Sequence, residues 1–567
     1  MHHRKGWSLP KYAPSNLAPS TILSMRKPSY SWVIFSGPLV TLAFSPNLTY
    51  EPFDNIKLIF LAACAGLALL DFIKRVKTIG YSSFKKQLYI SLILLMGLLI
   101  PVGFSSAPFS QQVYGAAGRS LGFLHYFFLV CIFLGASALK TDQIVSQFLK
   151  ALTITGIFES IYGLIQYLNL DPIKWNNEYA WIFGTFGNPN FLSAFIGMSI
   201  CASLFLLTGD LGILWRFLNI SNVLIGILCI SISTSIQGLV LVAVGVFSLL
   251  VVIVFKRSRL IGFIVTSLGA VGGFIASLGL LQIGPFAKYL YQETTTFRGD
   301  YWRAGFKMAQ EHWLTGVGLD SYGDHYRQFR DSTAANRRGL DMYSDSAHNL
   351  LIDLAATGGL ILLAAYLLLN SLVLTSIYKQ IKNPDSRRIE DFALTVVWIA
   401  FQIQTLISIN VSSLAVWGWI AGGLLVAKNF RIPAEAKNST NGRGKVKVKK
   451  TNFKAWAIAV PTIFALLVFP VLFRDYQLAQ AIASPSGPSL QSVTTSWPKS
   501  CFFMAKAEEA YTEAGDSNTS LAIALASIES NSRCFNSYRH IYENPAASAN
   551  QKNLALRNMR ILDPLLP

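Results

Sequence analysis

Two arginines lie close to two aromatic residues in the middle of the sequence. Arg298 and Arg303 are five residues apart in "TFRGDYWRAGFKMAQEHWLTGVGLDSYGDHY" (296–326), with Tyr301 and Trp302 between them. A guanidinium group stays charged and presents a two-pronged set of donors that matches phosphate oxygens. Aromatic rings of this kind can also stack on sugars. The stretch therefore predicts a binding site for a phosphate-bearing ligand.

A third arginine, Arg119, stands beside an apolar segment in "YGAAGRSLGFLHYFF". Charged groups near apolar spans cost free energy unless they are paired or wetted, so together with Arg298 and Arg303 it forms a candidate diphosphate clamp. Contact with lipid headgroups is the alternative for any single arginine. Interfacial anchoring is the alternative for the aromatic residues.

One histidine, His348, stands where the stretch "DMYSDSAHNLLIDLAATGGLILLAAYLLL" (341–369) changes from polar to apolar. Capping by Ser344, Asp345 or Ser346 would place His348 in the first turn of a helix, near unpaired N–H groups and the positive end of the dipole. That field disfavours imidazolium, so a neutral ring suited to general-base catalysis is expected. An interfacial histidine without a catalytic role is the alternative.

Other catalytic patterns are absent from the polar segments. They contain no DxD-like acidic pair, no phosphate-binding Gly-rich loop, no nucleophile elbow and no histidine cluster with metal-ligand spacing. The sequence therefore predicts His348 as the catalytic residue, and Arg298, Arg303, Arg119, Asp345, Tyr301 and Trp302 as substrate-binding residues. It predicts no metal and no cofactor.

The composition indicates the elements that must position these residues. Of the 567 residues, 52% are hydrophobic and 14% are charged, which is typical of an all-α polytopic membrane protein. About thirteen apolar runs are long enough to span a bilayer. They are 31–48, 56–73, 88–104, 121–139, 147–168, 188–208, 213–233, 237–255, 260–282, 347–374, 391–409, 411–427 and 455–473.

The basic residues are concentrated in the N-terminal segment and in alternate loops between the apolar runs. Residues 1–30 are basic and lack the apolar core of a removable signal peptide, so we expect a cytoplasmic N-terminal segment. Alternate loops are then cytoplasmic, and those at 74–86, 256–259, 378–388 and 428–454 are all basic, as the positive-inside rule requires. The net charge of +19 is thus explained by topology, without nucleic-acid binding.

The same alternation of loops between the two faces of the membrane predicts three domains. They are the segment 1–30, a membrane domain over 31–473 with a large extracytoplasmic loop at 283–346, and an extracytoplasmic helical tail at 474–567. Residues 501–533 realign on 534–567 at a period of 33, which resembles tetratricopeptide-type hairpins. Two unrelated amphipathic helix pairs are the alternative. A disulfide between Cys501 and Cys534 is possible but not implied, and the tail is a possible site for a protein partner.

Three stretches resemble the O-antigen ligase and polymerase superfamily over about residues 30–430. They are "FGTFGNPNFLSAFIGM" (183–198), "FRGDYWRAGFKMAQEHWLTGVGLDSYG" (297–323) and "SDSAHNLLIDLAATGG" (344–359). The resemblance implies a metal-independent, inverting glycosyltransferase in the bacterial cytoplasmic membrane, with its active site on the outer face. It also implies that Arg298 holds a polyprenyl-diphosphate-linked glycan donor and that His348 activates the acceptor hydroxyl. Arg119 resembles a recurrent arginine near the fourth span.

The sequence departs from the family pattern in one arginine position. Many relatives carry a Ser-Arg step where this chain has "STSIQGLV" (233–240), and Ile236 and Gln237 cannot supply the charge. Either Arg303 or Arg119 compensates, or the donor is held differently. The family also has an acidic residue just before the glycine that follows the His-Asn helix start, and this chain lacks it, since Thr357 precedes Gly358.

The residues leave the acceptor open: a ligase uses a lipid, a polymerase uses another glycan, and an O-linked oligosaccharyltransferase uses protein Ser or Thr. A polysaccharide or lipid transporter would be a non-enzyme alternative. It should show related halves or midspan charges. Only Glu159 is a clear midspan acid, and similarity between the halves is not apparent.

Overall fold

The computed structural model describes residues 31–46, 48–139, 142–175, 181–280, 283–285, 287–288, 293–339, 341–382, 388–428, 453–483, 492, 494 and 496–567. Within these ranges the regular secondary structure is helical and no strand occurs. The all-α fold class is therefore confirmed.

The helices follow one another in the chain as α1 (Trp32–Leu42), α2 (Asp54–Ile79), α3 (Lys85–Phe104), α4 (Phe109–Tyr114), α5 (Phe123–Ser137), α6 (Asp142–Tyr167), α7 (Pro189–Leu206), α8 (Ile213–Ile232), α9 (Ile236–Arg257), α10 (Arg259–Leu280), α11 (Glu293–Glu311), α12 (Tyr322–Phe329), α13 (Ser332–Arg338), α14 (Leu350–Lys382), α15 (Ile389–Ile407), α16 (Ser412–Lys428), α17 (Phe453–Ala483), α18 (Cys501–Glu513), α19 (Ser517–Ser530), α20 (Phe535–Glu543) and α21 (Ala549–Leu562). Short 3₁₀ turns lie at Tyr81–Phe84 and Gly184–Phe186.

The membrane bundle contains ten helices that are long and apolar enough to cross a bilayer, among the residues described. Three further apolar helices, α1, α5 and α16, have 11, 15 and 17 residues, fewer than the roughly 20 that a span usually needs. Each predicted apolar run overlaps one of these thirteen helices. The polytopic architecture is confirmed, and the number thirteen stays a prediction.

Burial differs sharply between the helices. The apolar window of α7 is 78% buried inside the protein, so α7 lies at the centre of the bundle, whereas the window of α10 is only 6% buried. Helix α10 packs beside α9 at the edge of the bundle. An apolar helix that the protein leaves this bare must be covered by lipid.

Helices α11–α13 lie at one end of the bundle, which we call the loop end. Helix α11 packs on the first turns of α14 through a cluster that includes Tyr301, Met308, Ile352 and Ala356. The predicted loop at 283–346 thus contains helices with a small apolar core of its own. Because this core includes Tyr301 of α11 and Ala347, it fixes the helix of Arg298 against the segment that carries His348.

Helix α14 is interrupted at Gly359, which has a φ of 75°. The loop segment fills the break: Val317 N–H donates to the Ala356 carbonyl at 2.8 Å, and Leu360 N–H donates to the Trp313 carbonyl at 2.8 Å. A Cβ on Gly359 would lie 2.2 Å from the Leu314 carbonyl oxygen, so this position requires glycine. The Gly-Val-Gly motif therefore satisfies the carbonyls that the break exposes.

The tail forms two helical hairpins, α18–α19 and α20–α21. Helix α17 continues past residue 474 to Ala483, and its last turns pack on Phe503 and Met504 of α18. A disulfide joins Cys501 to Cys534 at a sequence separation of 33. The tetratricopeptide-type assignment of the tail stays a prediction.

The tail is docked on the loop. The Asp563 carboxylate pairs with Arg330 at 2.5 Å and with Arg327 at 3.5 Å. The side chains of Asp563 and Arg330 are 0% and 1% exposed. Because these charges are buried, their pairing is needed to keep the tail in place.

Candidate active site

Helix α11 presents Arg298 and Tyr301 one turn apart. The Tyr301 ring stacks on the His348 ring, with centroids 5.3 Å apart and an interplanar angle of 29°. Tyr301 is itself fixed, because its backbone carbonyl accepts a hydrogen bond from the Tyr322 hydroxyl. The structure therefore brings the predicted base to the helix that carries the predicted phosphate ligand.

His348 lies just before helix α14, not in its first turn as predicted. The cap is Asn349, whose Oδ1 accepts from Leu351 N–H at 3.1 Å and Ile352 N–H at 3.3 Å. Ser344, Asp345 and Ser346 do not cap the helix, because the chain turns at His348, which has a φ of 51°. The ring therefore sits in front of the helix end, half-buried, and held by a strained turn.

The turn that carries His348 is held by hydrogen bonds on both sides. Ser346 Oγ accepts from His348 N–H at 3.2 Å, and the Asp353 carboxylate accepts from Ala347 N–H at 3.0 Å. Asp353 was not among the predicted site residues. Its acidic side chain in the first turn of α14 was the available signal, because such a carboxylate can reach back to backbone N–H groups before the helix.

Arg119 is buried between carboxylates. Its guanidinium lies 3.0 Å from Asp320 and 3.7 Å from Asp345, and it also donates to the Asp345 carbonyl. Burial alone would lower the pKa of Arg119, but the carboxylates, Asp320 foremost, raise it above its usual value. The charge of Arg119 is thus already balanced, and Arg119 anchors the turn before His348 rather than facing the cavity described below.

Arg303 points away from Arg298. Five residues correspond to a rotation of about 140° around a helix of 3.6 residues per turn, and Arg303 pairs with Asp300 and with Asp331, the latter at 2.7 Å. Arg337 also bonds Asp300, at 2.8 Å. This ionic cluster joins α11 to α13. The structure therefore does not assemble Arg298, Arg303 and Arg119 into one clamp.

A large cavity of about 2530 Å³ opens beside α11 and runs along α9. At the loop end it is lined by Arg298 and Trp302, by Asn349, and by the start of α9 from Ser233 to Gln237. Asp345 lies outside this lining, with its side chain 49% exposed. Arg298 and Trp302 are thus the predicted ligand-binding residues that the cavity contains.

Arg298 has no carboxylate partner within the part of the chain that the structure describes. Burial lowers its pKa, and nearby Tyr301 offsets this only in part. Trp302 Nε1 and Gln237 Oε1 are also buried without a hydrogen-bond partner among the described residues. An unsatisfied buried donor is costly, so Arg298 and the Trp302 N–H favour an anionic ligand at the loop end of the cavity.

Helix ends reinforce this charge. Helix α9 begins at Ile236 without a side-chain cap, and α14 begins beside Asn349. Both beginnings line the cavity, and the positive ends of their dipoles favour an anion. The start of α9 is where the sequence lacks the family arginine. Its free N–H groups and Gln237 occupy that place.

The motif "FGTFGNPN" has a structural role. Asn188 caps α7 through Asn190 N–H at 2.8 Å. The midspan acid Glu159 accepts from Thr185 N–H at 3.1 Å and from the Thr185 hydroxyl. Glu159 therefore holds the turn before α7, and it lies outside the lining of the cavity. No group of three or more His, Cys, Asp or Glu side chains suited to a metal occurs among the described residues.

A protein-family model described as O-Antigen ligase matches residues 220–367. The matched segment runs from α8 into α14 and contains Arg298, Trp302, Gln237 and His348. No curated protein matches the chain. The matched domain supports a membrane glycan-transfer function in polysaccharide biosynthesis. The chain is accordingly a multi-pass membrane protein whose residues 220–367 are similar to the O-Antigen ligase family model.

Proposed function

We propose that the protein transfers a glycan from a polyprenyl-diphosphate donor to an acceptor hydroxyl at the loop end, which faces the outside of the cytoplasmic membrane. One observation carries this proposal. The Arg298 guanidinium, which has no carboxylate partner among the described residues, lies at the end of an apolar cavity that follows α9, and the His348 ring is joined to the same helix through Tyr301.

The cavity fits the lipid part of such a donor. Its walls along α9 consist largely of apolar side chains such as Val240, Val244 and Phe247. An isoprenoid chain lying there would place its diphosphate at the polar mouth. Arg298, the Trp302 N–H and the start of α9 would then receive the phosphate oxygens.

The reaction is a single displacement. His348 accepts the proton of the acceptor hydroxyl, the oxygen forms a bond to the anomeric carbon, and the bond from that carbon to the diphosphate oxygen breaks. The polyprenyl diphosphate leaves with the bonding electrons, and Arg298 stabilises the charge that develops on it. Attack opposite the leaving group inverts the anomeric configuration. In this scheme the positive charge comes from Arg298 and the helix ends rather than from a metal.

Arg119, Asp345 and Arg303 take supporting roles. Arg119, which is paired with Asp320, donates to the carbonyl of Asp345 and so fixes the turn that leads to His348. Arg303 holds α11 against α13 through Asp331. A positioned base typically contributes about 10²- to 10⁴-fold, so residues that position His348 affect the rate without touching the substrate.

Two features support the proposed orientation. The disulfide between Cys501 and Cys534 lies in the tail at the loop end, and disulfides persist in oxidising compartments. The opposite end of the bundle carries Lys256, Arg257 and Arg259 at the junction of α9 and α10, as expected for a cytoplasmic face.

The test uses membranes supplied with a polyprenyl-diphosphate-linked glycan and an acceptor. His348→Ala should lose transfer by about 10²-fold or more and retain donor binding. The control is His312→Ala, an exposed histidine that follows α11. Normal transfer by a well-expressed His348→Ala protein would refute the base assignment.

Arg298→Gln should instead weaken donor binding, because the diphosphate loses the guanidinium that lines the loop end of the cavity. Lys307→Gln removes one positive charge from the exposed face of the same helix and is the matched control. Equal donor affinity in wild type and Arg298→Gln would count against the proposed phosphate site.

A further inference from the structure

The cavity does not end at the phosphate site. It follows α9 over its 22 residues, about 33 Å at 1.5 Å per residue, which matches the thickness of the hydrocarbon layer of about 30 Å. Its far end is lined by Lys256, Arg257, Arg259 and Lys382. We call these residues the four cavity cations.

The four cavity cations have no carboxylate partner among the residues that the structure describes. Other cations at the same end of the bundle do have partners. Arg388 pairs with Asp142 at 2.6 Å, and Lys428 pairs with Asp142 at 2.9 Å and with Asp391. Within the described part of the chain, the cations beside the cavity are thus paired with carboxylates, whereas those at the cavity wall are not.

Between the two charged ends the wall is apolar. Val251, Val252 and Phe255 of α9 face this space together with Val396 and Ile399 of α15. Helix α10, which closes one side, is only 6% buried by protein. An empty space of this size would leave its lining without dispersion contacts, so hydrocarbon chains must fill it in a bilayer.

We propose that the four cavity cations bind the headgroup of an anionic diacyl phospholipid whose acyl chains run along α9 towards Arg298. Charge complementarity selects the headgroup, because four cations without a carboxylate partner among the described residues line one end of a hydrophobic groove. The two charged ends are about 33 Å apart along α9, so this headgroup belongs to the leaflet opposite the donor diphosphate. The site is separate from the one proposed for glycan transfer.

Binding is measured with the purified full chain in micelles by native mass spectrometry, with no glycan donor present. Phosphatidylglycerol is titrated against phosphatidylcholine with the same acyl chains. The variant Lys256→Gln/Arg257→Gln/Arg259→Gln/Lys382→Gln should bind phosphatidylglycerol at least about 10-fold more weakly than wild type, because each cation near an anionic lipid contributes to its attraction. Binding of phosphatidylcholine should be weak and equal in both proteins.

The matched control neutralises four exposed cations that lie outside the cavity at the same end of the bundle. It is Lys77→Gln/Lys86→Gln/Arg216→Gln/Lys379→Gln, and its affinity should stay within about 2-fold of wild type because these charges are not part of the site. An equal loss in the control would show that the attraction is only that of a basic membrane face, and the proposal would fail.

A second variant keeps all the cations and obstructs the groove. Val252→Trp places a large ring in the wall between the two ends, and it should weaken phosphatidylglycerol binding if the acyl chains lie there. Unchanged affinity in this variant, equal affinity for the two phospholipids, or displacement of the bound lipid by polyprenyl phosphate would each overturn the assignment. These outcomes do not depend on whether His348 and Arg298 catalyse transfer.

Discussion

The ion pair between Arg119 and Asp320 offers a quantitative test of how the site is held. Their side chains are 9% and 0% exposed and the charged atoms are 3.0 Å apart. Removing one partner of a buried pair costs about 3–5 kcal/mol, because the other charge stays in the protein without compensation. Arg119→Met should therefore destabilise the protein by about that amount.

A double variant separates the two contributions. In Arg119→Met/Asp320→Asn the amide that replaces the carboxylate can still accept from Ala116 N–H and Leu121 N–H, which bond Asp320 at 2.7 and 3.2 Å. Since neither charge of the pair remains, we expect the double variant to recover about half of the lost stability, or about 2 kcal/mol. Measuring the stability of Asp320→Asn alone completes the double-mutant cycle.

The assay is thermal unfolding of the purified chain in micelles, paired with glycan transfer in membranes. Each kcal/mol shifts the Tm of a domain of 150–250 residues by roughly 2–4 °C and that of a larger one by less, so the single variant should melt about 5 °C below wild type. Transfer should stay low in both Arg119 variants, because neither restores the bond to the Asp345 carbonyl. A single variant as stable as wild type, or a double variant less stable than the single one, would refute the reasoning.

Three further predictions concern the tail. Cys501→Ser opens a 33-residue loop and should cost the tail about 3–4 kcal/mol, which limited proteolysis would detect as earlier cleavage there. Asp563→Ala leaves Arg330 buried without its partner, so hydrogen exchange in α12 and α21 should accelerate, and unchanged exchange would contradict the docking described above. Burial raises the pKa of Glu508 from 4.5 to about 8, so the folded tail holds a proton that the unfolded tail releases, and tail stability should fall as pH rises through that interval. Glu508→Gln should flatten this dependence, which pH-dependent unfolding would test, with His540→Gln as the control for the nearby imidazole at 3.8 Å.

The positions of the spans could be predicted from the sequence because hydropathy is a local property. A run such as 188–208 must leave water whatever its neighbours are, and it forms α7 within a few residues of the expected bounds. The helices of the tail were predicted from its 33-residue period, whereas the helices within the loop at 283–346 were not predicted. The three stretches that resemble the family also lie at the same end of the bundle, because the 3₁₀ turn at Gly184–Phe186, α11 and the start of α14 are all at the loop end.

The roles of the arginines could not be predicted in this way. Arg119 and Asp320 are about 200 residues apart in the chain, and nothing local indicates that the carboxylate neutralises the guanidinium. Arg303 lies five residues from Arg298 and has the same chemistry, yet it faces Asp331 instead of the cavity. The value of a charge to a ligand depends on whether another charge already balances it, and that is a property of packing.

The sequence by itself determined a polytopic helical protein, a loop with arginines and a histidine, and a family resemblance resting on three short motifs. Tertiary structure decided that Asn349 rather than a preceding residue caps α14, and that Gly359 breaks it to admit the loop. It also decided that Arg298 alone of the three predicted arginines faces the cavity. Hydrophobicity acts on each segment separately, whereas ion pairing and capping require partners that only the folded chain brings within about 3 Å.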